Sequence, residues 1–232
     1  MSAAAASPAA KVDAIYYEHA GTLPLVRRVS LIARRRLCAF FYEVMQPQPA
    51  DRVLDVGVSD EVTMESNMLE QTYPHPEQLT CAGLTDGRAI CAAYSGVSHV
   101  QIAPHQPLPF ADGAFDLVYS NAVLEHAGSD EQQRFFLSEL CRVARRQFVA
   151  VPNPLFPIEH HTGLPFINYL PKRTFRALLR GTRYEVWSHE ENLDYLDAST
   201  LRRLWPAPLP PRIAYRGIGF GPFQSNLIAY SA

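Results

Sequence analysis

Glycine is scarce in this chain: 12 residues against 19 prolines in 232. No G-x-G-x-x-G run occurs, and that absence removes the usual phosphate-cradling loop of a dinucleotide-binding enzyme. The four cysteines, Cys38, Cys81, Cys91 and Cys141, lack C-x-x-C spacing. They argue against a zinc ribbon or a disulfide framework and read as buried thiols. No apolar run approaches the roughly 18 residues needed to span a bilayer. The start, "MSAAAASPAA", has neither a basic n-region nor an apolar h-region, so it reads as a flexible tail over residues 1–12 and places the protein in the cytoplasm. A formal charge of -2 and a pI near 6.4 supply no basic field, which disfavours nucleic acid as the partner.

What remains is a chain with 47% hydrophobic and 19% charged residues, enough for one large domain with a substantial core. The stretch 13–48 reads as N-terminal helices. Leu25, Val29, Ile32, Leu37, Phe40, Phe41 and Val44 recur there at helical spacing, with Arg27, Arg28, Arg34, Arg35 and Arg36 between them. Those arginines make either a solvated face or a grip on an acidic group. Beyond them, "RVLDVG" is a strand, 62–73 suits a helix, "LTCAGLT" is a second strand, "GRAICAAYS" a short helix, and "SHVQIA" a third strand. "FDLVYSNAV" is a fourth strand, followed by a helix behind an Asp130 cap and by "QFVAVPN" as a fifth. A helix in "RTFRALLRG", another capped by Ser199, and strands in "PRIAYRGIGF" and "SNLIAY" complete the order. Alternation of this kind predicts parallel strands joined by right-handed crossovers, with ligands bound outside the carboxyl ends of the strands.

Three phrases, "VLDVGVSD", "LPFADGAFDLVYSNAVLEH" and "ELCRVARRQFVAVPN", resemble the successive motifs of class I S-adenosylmethionine-dependent methyltransferases of the type 11 branch. The likeness covers roughly Arg52 to Asn153, and "STLRRLW" and "SNLIAY" resemble the family's last helix and strand. It implies a Rossmann-like α/β fold: a seven-stranded mostly parallel sheet with an antiparallel last strand and helices on both faces. A single domain would then span 13–232, with a cap inserted at 154–197 after the fifth strand.

The same resemblance implies S-adenosylmethionine as cofactor and a small-molecule substrate. Asp55 matches the family's first acidic position and Gly57 its first glycine, while Ser59 and Glu61 replace later glycines. A sulfonium donor carries no phosphate, so fewer glycines are needed, and an acidic group near the methionine ammonium is useful. For the ribose diol, which fits one bidentate carboxylate, Gly83 stands at the expected place and Asp86 three residues on. Asp86 is read either as that carboxylate or as a turn aspartate before Gly87. His105 lies where the family faces adenine, and Asn121 where it faces the methionine part. Glu125 and His126 either face the acceptor or tie the following helix to its neighbours. A histidine there is able to accept the acceptor's proton, so His126, His160 and His161 are the catalytic candidates, with Glu125, Phe156 and Tyr169 toward the substrate.

"IEHHTG" invites a metal reading. Adjacent histidines in an extended chain diverge, however, and the H-E-x-x-H spacing is absent, so no metal is expected from Glu159, His160 and His161. The aromatic, proline-rich run after the fifth strand covers the acceptor pocket or is an ordinary packed connection. The expected reaction is methyl transfer to oxygen or nitrogen of a small-molecule or glycan-type metabolite. The rival is a catalytically silent relative that keeps the fold as a binding or scaffold module.

Overall fold

The computed structural model describes residues 24–63, 66–206, 208 and 210–232. The expected tail at 1–12 and the first part of the N-terminal helices lie outside the described residues. Helix α1 (Pro24–Met45) precedes β1 (Val53–Val56), α2 (Met68–Thr72), β2 (Leu79–Gly83), α3 (Arg88–Ala93), β3 (Ser98–Gln101) and β4 (Phe115–Asn121). After these come α4 (Asp130–Val143), β5 (Ala144–Pro152), α5 (Lys172–Leu179), α6 (Ala198–Leu204), β6 (Arg212–Arg216) and β7 (Asn226–Ser231).

The strands form one seven-stranded sheet in the order β3-β2-β1-β4-β5-β7-β6. β1 pairs in parallel with β2 and β4, β2 with β3, and β4 with β5, while β7 runs antiparallel to both β5 and β6. The expected Rossmann-like architecture is therefore present, with chain order reversing between β1 and β4. In open parallel sheets that reversal leaves a crevice at the carboxyl ends of the two strands.

Alternation along each strand divides the core. Leu54, Val56, Val118, Val149 and Val151 face a layer built by α4 and α6 through Leu137, Leu140, Val143, Leu201 and Leu204. On the other face Val53, Leu79, Leu117, Tyr119 and Phe148 meet Leu37, Phe40, Phe41 and Met45 of α1. Tyr119 and Phe148 are register partners on β4 and β5, and their rings stack at 5.4 Å. Phe41 meets both edge-on at 5.2 and 5.4 Å, so three aromatics fasten α1 to the sheet. Each fully buried large side chain contributes roughly 1.5–3 kcal/mol, so the two layers carry most of the fold's stability.

Several local expectations are corrected. The helix expected over 62–73 is confined to Met68–Thr72. Ahead of it, Thr63 N–H donates to Asn67 Oδ1 (3.1 Å) and Ser66 N–H to Thr63 Oγ1 (3.1 Å), short side chains that compete with helical bonding. The cap of α4 is Ser129, not Asp130: Ser129 and Gln132 exchange side-chain and backbone bonds as a capping box. Likewise Asp197, not Ser199, caps α6, its Oδ1 accepting from Thr200 N–H at 2.7 Å and from the Ser199 hydroxyl at 2.8 Å. Two arginines of α1 leave the solvated face, Arg36 donating to Gly217 O at 3.0 Å and Arg34 lining the central cavity.

Candidate functional site

The first loop turns at Gly57, whose φ of +103° is a conformation side chains resist; a Cβ there would also stand 2.1 Å from Val123 Cγ2. One glycine therefore does the work that a glycine-rich loop does elsewhere, bringing the β1 turn against the β4 turn. Asp55 lies one residue before the end of β1, with its side chain buried beside Glu70 of α2. Burial first, and then the neighbouring Glu70 carboxylate, pushes its carboxyl well above the usual range. The Glu70 carboxyl is raised too, mainly by burial, against the lowering effect of its bonds to its own backbone, Cys81 and Asp55. Glu70 also accepts a bond from the Cys81 thiol at 3.3 Å.

At the ends of β2 and β3 the arrangement departs from expectation. Gly83 abuts the first loop: an added Cβ would lie 2.0 Å from Val58 O. The Asp86 carboxylate accepts from Arg88 N–H at 3.2 Å and pairs with Arg88 Nε at 3.0 Å, the turn-aspartate alternative. The His99 ring fills the room left by the missing side chain of Gly87, whose Cβ would fall 2.0 Å from His99 Cγ. Both ring nitrogens of His99, together with Ser59 Oγ, Asp60 Oδ1 and Thr85 Oγ1, are buried without a hydrogen bond. Burial lowers the His99 pKa, against the opposing charges of Asp60 and Asp86. His105, held at φ +58°, stands near Gln132 Nε2 (3.5 Å).

Past β4, Ala122 adopts φ +58° and donates its N–H to Ala150 O at 2.9 Å, which turns the chain into a short 3-10 turn, Leu124–His126. Glu125 is fully buried with neither carboxylate oxygen hydrogen-bonded, and burial pushes its pKa up to about 7. His126 Nδ1 lies 2.5 Å from Asn192 O, and its Nε2 lies 3.3 Å from His161 Nε2. Burial, then His161, lowers the His126 pKa to about 3. Glu159 accepts from His161 N–H (2.8 Å), from His161 Nδ1 (2.9 Å), from Thr162 N–H (2.6 Å) and from the Tyr195 hydroxyl. Burial works to raise its pKa, yet these bonds and the nearness of His161 hold it well below the carboxylate range. The His160 ring meets Phe156 edge-on at 5.5 Å, and burial lowers its pKa to about 4. Trp187 packs on His161 at 4.7 Å and His126 at 5.8 Å.

These groups enclose one cavity of about 550 Å³, within the usual size of small-molecule sites. Asp55, Gly57, Ser59 and Asn121 line it, with Glu125, His126, Phe156, His160 and His161. Gly83, Asp86 and His105 do not, and Tyr169 instead donates its hydroxyl to Leu155 O at 2.7 Å on the exposed side of the cap.

The family described as "Methyltransferase domain" matches residues 54–149. Residues 54–149 are a methyltransferase domain. The methyltransferase fold extends beyond them. A SAM-dependent methyltransferase from Aquifex aeolicus aligns with 94% of this chain and 96% of its own, at 14% identity and a TM-score of 0.55. Magnesium protoporphyrin IX methyltransferase from Synechocystis PCC 6803, solved with bound SAH, aligns over 97% and 94%, at 15% identity and a TM-score of 0.56. Likeness at such identity is a likeness of fold. The chain spans half the length of the YcgJ protein from a Bacillus, with 17% identity over 50% of this chain and a TM-score of 0.41. No curated protein matches the chain.

Four side chains in or behind the cavity wall escape a reading by motif: Arg34 and Trp187 line it, while Glu70 and Tyr195 stand behind Asp55 and Glu159. Each comes from a segment remote from the strand ends and reaches the site only through packing. Trp187 carried the one available signal, as one of only two tryptophans, standing between polar runs.

Proposed function

We propose that the protein uses S-adenosylmethionine to methylate an oxygen or nitrogen of a small-molecule or glycan-type metabolite. The carrying observation is the single cavity that joins Asp55, Gly57, Ser59 and Asn121 at the ends of β1 and β4 to the Glu125 and histidine cluster under residues 154–197. Orphaned buried polar atoms at Ser59, Asp60, Thr85 and His99 fit a polar nucleoside at the neighbouring strand ends, where Asp86 is already occupied by Arg88. When bound, S-adenosylmethionine supplies a methyl carbon made electrophilic by its sulfonium.

The chain's own part is placement, dryness and proton handling. Asp55, Ser59 and the backbone at Asn121 hold the donor's methionine part, and Gly57 keeps the turn open to it. In-line displacement rewards alignment and a water-poor site more than a strong acid, and Trp187, Phe156 and Ile158 supply the apolar walls. His126 and His160 are neutral at physiological pH, which suits them to orient an acceptor hydroxyl or amine. Glu125, held near pH 7, is better matched than either ring to take the proton. Residues 154–197 act as a cap, within one domain and in the cytoplasm, with no nucleic-acid partner. Among the described residues no helix is long and apolar enough to cross a membrane.

The test is transfer of a labelled methyl group from S-adenosylmethionine into a panel of hydroxylated and amino metabolites. Label should enter at least one acceptor, and Glu125→Gln should cut kcat by about 10²-fold or more. Release of no label to any acceptor while the donor binds would favour the scaffold reading.

A further inference from the structure

Three ligand atoms that the sequence keeps apart meet on the wall of the cavity. Glu125 and His126 arrive on the turn after β4 and His161 on the cap, and one ligand atom from each lies within 4.8 Å of the others. We propose that Glu125, His126 and His161 bind a divalent first-row transition-metal ion of the zinc or cobalt kind, through a carboxylate oxygen and two Nε2 atoms. The site stands on its own geometry and does not depend on the donor reading; while the ion is bound, Glu125 is a ligand and not the proton acceptor.

The hydrogen bonds fix which ring nitrogens turn away from the cluster. Asn192 O only accepts, so the proton of a neutral His126 sits on Nδ1, 2.5 Å away, and the lone pair sits on Nε2. Glu159 is an anion held by two backbone N–H groups and the Tyr195 hydroxyl, so His161 Nδ1, 2.9 Å away, is likewise the donor. The two Nε2 atoms stand 3.3 Å apart. Two nitrogens bound at about 2.0–2.1 Å to one tetrahedral ion are themselves separated by about 3.3 Å. Glu125 adds the charge: its Oε1 is 3.8 Å from His126 Nε2, and both of its buried oxygens lack a hydrogen bond.

The surroundings resemble those of a built metal site. Metal-bound histidines characteristically donate their second ring N–H to a carboxylate or a backbone carbonyl, and here Glu159 serves His161 while Asn192 O serves His126. Imidazole and carboxylate ligands suit the borderline first-row ions better than calcium or magnesium. All three residues line the cavity, so the remaining coordination positions open toward it, where a hydroxyl of an acceptor would become a ligand. The set also differs from the adjacent triplet weighed in the sequence: Glu159 supports His161, and His160 turns to Phe156.

The test uses the full chain after exhaustive dialysis against a chelator. Titration with Co²⁺, followed by its visible absorption, and with Zn²⁺, followed by calorimetry, should each show one site. Glu125→Gln and His161→Ala should each weaken the ion by about 10–100-fold or more while circular dichroism is unchanged. Should His161→Ala misfold, Glu125→Gln and X-ray absorption of the cobalt-loaded wild type, with two imidazoles expected in the first shell, decide the matter. Absence of a one-to-one site, or a site indifferent to these substitutions, would overturn the proposal and leave a proton between the two rings. SAH binding measured in the chelator separates this failure from failure of the donor reading.

Discussion

Asp55 faces two opposed demands. Its burial beside Glu70 raises its pKa in the folded chain, so its protonated form is the favoured one. A carboxyl raised on folding contributes stability fully present below its unfolded pKa and lost as pH rises through the folded value. Asp55→Asn removes that dependence, so the variant should match wild type most closely at about pH 3 and gain on it steadily as pH rises above the ordinary carboxylate range, by urea denaturation. The same variant should bind S-adenosylmethionine more weakly, the usual cost of a polar site. Gly57→Ala should destabilise by about 2 kcal/mol or more, since its Cβ meets both a positive φ and Val123, and thermal denaturation reads this directly. Asp55, Gly57 and Asn121 stand out in the sequence because each lies at, beside or just past the end of an apolar strand. Glu70 was not, because a carboxylate on a five-residue helix looks solvated until α2 packs it against Asp55. Asp86 illustrates the opposite case: its neighbour Arg88 competes for the carboxylate that a motif assigns to ribose.

Among the elements, strands were the more legible because β1, β4 and β5 are buried on both faces and read as unbroken apolar runs. β5 still begins earlier than its apolar run. Arg146 enters the sheet by sending its guanidinium to Met45 O (2.7 Å) and Asp51 Oδ2 (2.5 Å). Helix starts were harder, since Ser129 and Asp130 are both competent caps and only the reciprocal bond from Gln132 separates them. Ser129→Ala should therefore lower stability by about 1 kcal/mol and leave SAH affinity unchanged, whereas Asp130→Ala should do far less. Paired denaturation curves of the two variants check the assignment.

Across the whole molecule, residues 154–197, the proposed cap, are fastened to the sheet through Asp194. Its carboxylate meets Lys172 at 2.7 Å and Arg176 at 2.9 Å, its N–H donates to Glu125 O at 2.8 Å, and its carbonyl accepts from Gln133 Nε2 at 3.2 Å. The cap has its own small core of Phe175, Leu179, Tyr184, Trp187 and Leu193. Asp194→Ala removes the carboxylate shared by half-exposed Lys172 and by Arg176, which keeps Glu190, and should cost about 1 kcal/mol, with a rise in acceptor KM exceeding any loss of donor affinity. Steady-state kinetics with both substrates varied separates the two effects. The parallel strands of the sheet followed from alternation of strands and helices, and its antiparallel last strand from the family resemblance alone. The cap's contribution did not, because Glu159, His161, Trp187 and Tyr195 converge through contacts of long sequence separation that no local pattern records.

The central claim is that the crevice between β1 and β4 holds an adenosyl sulfonium. Calorimetric titration of the full chain with SAH tests it most directly. The account predicts one site per chain with a dissociation constant of about micromolar order, weakened at least tenfold by Asp55→Ala. No heat and no thermal shift at millimolar SAH would contradict it.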